Sequence, residues 1–159
     1  MGGQKVRRFR GIAARRTLGR VTIPLPFDPA EVWGRRDRYH VSGTIEGLGF
    51  RTTLVHQDIW QLVFGPKSGS AARLADRQAV EVEVWPEGPQ QEQLAPDIAE
   101  ALAARPQARV AFDSLATFYR KGWLRWIDAT KRRPEVRAAR IAEMVPLVEA
   151  GHKERPRPP

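Results

Sequence analysis

The chain contains no cysteine. Disulfides, thiolate zinc sites and a cysteine nucleophile are therefore excluded, and the absence fits a reducing compartment. Histidine is scarce: His40, His56 and His152 are the three. None stands four residues from a second ligand-type side chain, so no metal and no cofactor is expected. No apolar run approaches the ~20 residues that span a bilayer, so no transmembrane segment is expected. The basic start MGGQKVRRFRGIAARR lacks the apolar stretch of a secretory signal, and Val6 breaks the acylation pattern that Met-Gly begins. A cytoplasmic location is the expectation. No nucleophile elbow is present, and Gly65 to Ser70 is not a phosphate-cradling loop, because no Gly-Lys-Ser/Thr opens a long helix. No catalytic residue is singled out. Triads assemble across a sequence, so an enzyme is not excluded, but nothing favours one.

What the chain does have is positive charge. Lys and Arg number 27 against 18 Asp and Glu, a net charge of +9 over 159 residues. Lysine occurs only at 5, 67, 121, 131 and 153, so most of the charge is arginine. Arginine presents a planar fork that suits phosphate or carboxylate. A basic balance points to nucleic acid, an anionic surface or an acidic partner. A solvated basic surface is the plain alternative. The length is that of one ordinary domain, or of a small domain with an appended helical module.

The chain changes period once. Before residue 86 the pattern is strand-like; from 97 to 151 it is helical. Strands are expected around Phe9 to Ile12, at Val21 to Leu25, Tyr39 to Ile45, Leu48 to Val55, Ile59 to Phe64 and Ala79 to Trp85. Glu46-Gly47 forms the tight turn of a hairpin. In the last strand Val80, Val82 and Val84 face a core while Glu81 and Glu83 face water. Asp28 caps a short helix that Pro29 opens, and a helical turn is expected near Ser70 to Leu74. The segment 87–96 is a Pro- and Gln-rich linker. Four helices follow: Asp97 to Ala104, Pro106 to about Leu115, Thr117 to about Thr130 with Thr117 as its cap, and Pro134 to Val148. Gly151 is a natural position beyond the last cap, and Pro146 should kink or loosen the final turn. Residues 1–4 read as a flexible start and 152–159 as a disordered tail. The expected architecture is α+β: a β domain over 1–86 with about six strands, then the helical module over 97–151.

The helical block resembles the YdeI/OmpD-associated (bacteriocin-protection) family. Pro96-Asp97-Ile98, Ala101-Leu102, Ala108, Phe112, Leu115, Tyr119-Arg120 and Trp126-Ile127 carry the resemblance. It continues through Lys131-Arg132, Glu135-Val136-Arg137, Arg140-Ile141 and Gly151. Thr130 and Val136 depart from the usual Ala and Thr of that pattern, so position 136 carries no hydroxyl. Val21 to Pro24, Val41 to Gly47, Phe50 to Leu54 and Val80 to Val82 resemble the uncharacterised barrel domain often fused before this segment. There Ala75-Asp76 sits early against the family's Gly-Asp. The resemblance implies a double-split β-barrel, akin in topology to transition-state-regulator DNA-binding domains, and a link to tolerance of cationic antimicrobial peptides or bacteriocins. It implies no established reaction.

The candidate anion-binding residues are Lys131, Arg132, Arg133, Arg137 and Arg140 at the junction of the last two helices, with Arg8 and Arg10 near the start. Basic residues neutralise phosphate, and exposed aromatics stack on bases. Phe118, Tyr119, Trp123 and Trp126 are instead expected to form a core face, with arginines on the outer side. The functional expectation is a non-enzymatic binding or stress-protection protein. Nucleic acid or another anionic partner is the sharper alternative, and a small-molecule or enzymatic site in the barrel is a further one. The sequence leaves the oligomeric state open.

Overall fold

The computed structural model describes residues 5–158; the expected flexible start at 1–4, and Pro159, lie outside them. The chain divides into two compact units between Glu87 and Gly88.

Among the described residues the first unit holds eight strands, a 3-10 turn at Thr17–Gly19 and one short α-helix: β1 (Arg7–Ile12), β2 (Ala14–Arg15), β3 (Val21–Pro24), α1 (Pro29–Trp33), β4 (His40–Ile45), β5 (Leu48–Thr53), β6 (Val55–Gln57), β7 (Ile59–Phe64) and β8 (Ala79–Pro86). They form two four-stranded antiparallel sheets, ordered β1-β8-β4-β5 and β2-β3-β7-β6. The α+β class is as expected. The sheets, however, are not closed into a barrel, and the strands number eight among the described residues rather than about six. The extra strands come from two corners. At Ala13 the chain leaves β1 for β2, held by Ala13 N–H to the Gln78 carbonyl (2.9 Å) and by Arg77 N–H to the Ala13 carbonyl (2.8 Å). At Leu54 it leaves β5 for β6, held by Leu54 N–H to the Tyr39 carbonyl (2.9 Å). Each corner moves the chain from one sheet to the other.

Inward residues of both sheets share one core: Val21, Ile23, Leu62 and Phe64 from one, Val41, Ile45, Phe50, Val80, Val82 and Val84 from the other. The alternation of β8 is the expected one, with the valines buried. Asp28 caps α1 as expected, its carboxylate accepting from Ala30 N–H at 2.9 Å. The expected turn near Ser70 to Leu74 is present as a set of hydrogen-bonded turns, among them Ala72 N–H to the Ser68 carbonyl (2.7 Å). Glu87 closes the unit: its buried carboxylate accepts from Ser42 Oγ (2.9 Å) and from Arg51 Nε and Nη2 (2.6 and 3.0 Å).

The second unit is helical: a 3-10 turn at Gln91–Gln93, then α2 (Pro96–Ala103), α3 (Pro106–Asp113), α4 (Thr117–Asp128) and α5 (Pro134–Glu149). Proline opens three of these helices, where its missing N–H would be unpaired anyway. The Thr117 hydroxyl does not cap α4; it donates to the Gly88 carbonyl at 2.8 Å. α5 runs on through Pro146 to Glu149, and Gly151 follows in the left-handed region (φ 97°). Ile98, Leu102, Phe112, Trp123, Ile127, Ile141, Met144 and Val148 form the core. Among the described residues no helix is long and apolar enough to cross a membrane.

Within this core lies a fully buried arginine, Arg120. Its Nε donates to the Leu115 carbonyl (2.8 Å), Nη1 to the Pro89 carbonyl (2.9 Å) and Nη2 to the Asp113 carbonyl. The Asp113 carbonyl ends α3 and Leu115 lies just beyond its cap, where helix-end carbonyls lack helical partners and a cation is favoured. Arg120 therefore joins the end of α3 to the incoming 88–89 segment.

Candidate binding site

Arg8 and Arg10 lie on the exposed side of β1. The antiparallel register sets Arg8 opposite Glu83 and Arg10 opposite Glu81, and each pair forms an ion pair, the second at 3.5 Å. Directly opposed unlike charges are favourable in a ladder. The arginine stripe is thus matched by the acidic stripe of β8.

At the helical junction, Thr130 is buried and its hydroxyl donates to the Ile127 carbonyl at 2.6 Å. Lys131, Arg132 and Arg133 follow as three exposed cations in the turn before Pro134. Arg137 stands apart from them. Its Nε and Nη2 fork onto both oxygens of Asp97 (2.6 and 3.0 Å), and Nη1 meets Asp128 Oδ1 at 2.9 Å. One guanidinium thereby ties α2, α4 and α5 together. Its bond to Asp97, then that to Asp128, raises the Arg137 pKa; the Asp97 pKa is lowered, chiefly by Arg137.

A depressed carboxylate pKa stabilises the fold above the unfolded value, here 3.8, and the contribution is lost as pH falls through the lower folded value. Asp97→Asn should then weaken the helical unit by at most about 1 kcal/mol at neutral pH, since Asp97 is half exposed. It should also flatten the decline of stability below that range. Urea titrations of both proteins between neutral and acid pH check this; parallel acid limbs would remove the claim.

Arg140 donates through Nη1 to the Trp126 carbonyl (2.6 Å), and its guanidinium lies 4.9 Å from the Trp126 ring centroid. That ring also lines a cavity. A cleft of about 360 Å³ opens along α4, lined by Phe118, Tyr119, Gly122, Trp123, Arg125 and Trp126. Lys153, Glu154, Arg155 and Arg157 complete its wall. Lys153 Nζ lies 5.6 Å from the Tyr119 ring centroid, and the Arg155 guanidinium 4.2 Å from that of Trp126. Residues 152–158 form neither helix nor strand.

The expected aromatic core face is therefore split. Trp123 is buried at 2% exposure, whereas Phe118 is 68% exposed and Tyr119 and Trp126 are half-buried. Helical geometry accounts for it. Arg120, Trp123 and Ile127 share the inward face; Phe118, Gly122 and Trp126 recur every four residues on a flank.

Gly122 decides the shape of that flank. Glycine in a helix interior costs about 1 kcal/mol relative to alanine, and close packing is the usual reason to keep one. Here a Cβ would meet nothing within 4 Å. The missing side chain leaves the cleft open between Phe118 and Trp126. Reasoning from sequence missed Gly122, Lys153, Arg155 and Arg157. The four-residue spacing of Phe118, Gly122 and Trp126 was the available signal for the first.

The first unit carries a larger but more polar groove, about 690 Å³, along β3, β6 and β7. Arg16, Arg20, Gln57, Asp58 and Gln61 are among its lining residues. It has no aromatic floor.

The helices that build the cleft carry a family signature. Residues 93–151 match the bacteriocin-protection, YdeI or OmpD-associated family. The helical unit is thus similar to the family described as bacteriocin-protection, YdeI or OmpD-associated, and the first unit lies outside the match. No curated protein matches the chain. The match takes in Phe118 through Trp126 and the Lys131 to Arg140 junction; the segment bearing Lys153 and Arg155 lies just beyond it.

Proposed function

We propose that this is a non-enzymatic binding protein of the cytoplasm, acting in bacteriocin or cationic-peptide tolerance through the α4 cleft of its YdeI/OmpD-associated module. The supporting observation is the cleft itself. It exposes the rings of Phe118 and Tyr119, which lie outside the module's core, beside Trp126, which packs against that core, and a glycine whose Cβ would meet no neighbour keeps it open. Sites of this size that combine apolar walls with a few polar groups are typical of ligand recognition.

The decisive variant is Gly122→Phe, which fills the cleft from a half-buried helical position with open space in front of it. Deletion of the gene should sensitise the host to a panel of bacteriocins and cationic peptides. Wild-type protein should restore tolerance; equally abundant, normally helical Gly122→Phe protein should not. Full restoration by the variant would end the proposal for the cleft, and unchanged sensitivity on deletion would end the protective role.

A second reading is favoured by the exposed trio Lys131, Arg132 and Arg133. These cations suit single-stranded nucleic acid, with Phe118 as a stacking surface. Salt dependence separates nucleic-acid binding from peptide binding, because only the former weakens steeply as salt rises.

A further inference from the structure

We infer that the α4 cleft docks a proline-punctuated peptide segment bearing arginine or lysine, and that residues 153–157 of this chain are its internal occupant. The inference rests on the cleft being the binding site.

Two side chains of one short segment already sit on two rings of α4. Lys153 lies over Tyr119 and Arg155 over Trp126, at 5.6 and 4.2 Å from the ring centroids. The negative face of an aromatic ring attracts a cation within about 6 Å, arginine more often than lysine. The chain bends at Lys153 and Glu154 and runs on without helix or strand, while the seven helical steps from Tyr119 to Trp126 rise ~10 Å, more than two residues of chain span. Long cationic side chains close the difference. Arg155-Pro156-Arg157-Pro158 alternates cation and proline. Proline restricts φ to the polyproline range, so such a segment is extended before it binds and loses little entropy on docking. Aromatic-lined grooves recognise proline-rich segments on this basis. Gly122 leaves room for the peptide backbone, and Phe118 supplies an apolar rim.

The same contacts disfavour nucleic acid as the occupant. A base stacking on the ring face that Arg155 covers would first have to displace that guanidinium. The net charge of +9 opposes a cationic peptide only weakly at physiological salt, where charges beyond ~8 Å are screened.

An internal occupant competes at an effective concentration in the millimolar range. The site should therefore bind an external peptide weakly until Lys153 and Arg155 are removed. The test uses full-length protein, wild type and the double variant Lys153→Ala/Arg155→Ala, titrated with the synthetic peptide HKERPRP and followed by tryptophan fluorescence and calorimetry. The double variant should bind about tenfold more tightly than wild type, in line with two lost ring contacts. Affinity should hold or rise between ~50 and ~300 mM salt, because like-charge repulsion is screened. Adding Gly122→Phe should abolish binding while leaving the helical circular dichroism unchanged, and a peptide with glutamine for Lys and Arg should not bind.

Equal affinity for wild type and double variant would overturn the inference, as would binding that survives Gly122→Phe. So would the opposite salt response: a single-stranded oligonucleotide that binds tightly at ~50 mM, weakens steeply with salt and displaces the peptide would give the cleft to nucleic acid. If HKERPRP fails to bind the double variant while Gly122→Phe still abolishes protection in cells, the peptide chemistry is wrong and the cleft stands. If Gly122→Phe protects fully, the cleft itself is wrong.

Discussion

Arg120→Met is expected to destabilise the helical unit by about 3–4 kcal/mol. Methionine retains much of the volume and apolar contact, so the loss is that of donors. Three carbonyls, at Leu115, Pro89 and Asp113, lose their partner. A buried acceptor left unsatisfied costs about 1–3 kcal/mol. Leu115 and Pro89 are only partly buried, so water re-meets part of that demand. Arg120→Lys should recover less than half of the loss, because one ammonium group cannot reproduce a planar fork directed at three acceptors. Urea unfolding followed by helical circular dichroism measures both. A loss below about 1 kcal/mol for the methionine variant would mean that these carbonyls are readily hydrated in the folded state. The effect reaches the cleft, since Tyr119 and Trp123 flank Arg120 on α4. The variant should therefore lose peptide binding in proportion to its loss of fold.

Arg120 also marks where sequence reasoning stops. By composition it is one more cation beside aromatics, and only the helix phase set by Trp123 and Ile127 turns it inward. Local signals were legible wherever one residue determines the backbone. Pro29, Pro106 and Pro134 mark helix starts, Asp28 caps α1, and Gly151 takes the left-handed position after α5. The alternating valines of β8 gave its buried face. What was not legible depends on partners distant in sequence. The Arg8 and Arg10 stripe gains Glu83 and Glu81 only through a register spanning more than seventy residues. The two-sheet arrangement depends on corner hydrogen bonds at Ala13 and Leu54. Arg137 sat in a basic run, yet its charge is taken up by Asp97, forty residues away, and by Asp128. Of the junction, Lys131, Arg132 and Arg133 keep the exposure their sequence suggests. The cleft depended on a width that periodicity does not specify. Four aromatics within nine residues cannot all fit one core stripe, and the excess forms the site.

Gly43→Ala should be the most damaging single-atom change in the β unit. Gly43 lies in β4 between its partners Phe50 on β5 and Val84 on β8. An added Cβ would stand 2.1 Å from the Glu83 carbonyl oxygen and 2.6 and 2.8 Å from Phe50 Cζ and Cε2. The ring could rotate away; the carbonyl belongs to the β8 backbone and could not. Overpacking a core typically costs about 1–3 kcal/mol, and a clash with backbone belongs at or above the upper end. Relief requires β4 and β8 to separate, which loosens the Ser42 and Arg51 contacts to Glu87 as well. Gly122→Ala has the opposite expectation. In open space on a helix the methyl group should stabilise by about 0.5–1 kcal/mol, through reduced freedom of the unfolded chain and better helix propensity. Thermal unfolding of the two variants, monitored by helical circular dichroism for the second unit and near-ultraviolet circular dichroism for the first, compares the same substitution with opposite signs. Alanine tolerated at 43 to within about 1 kcal/mol would show that β4 and β8 can part without disturbing the core. Alanine that destabilises at 122 would show that Gly122 serves the fold rather than the cleft.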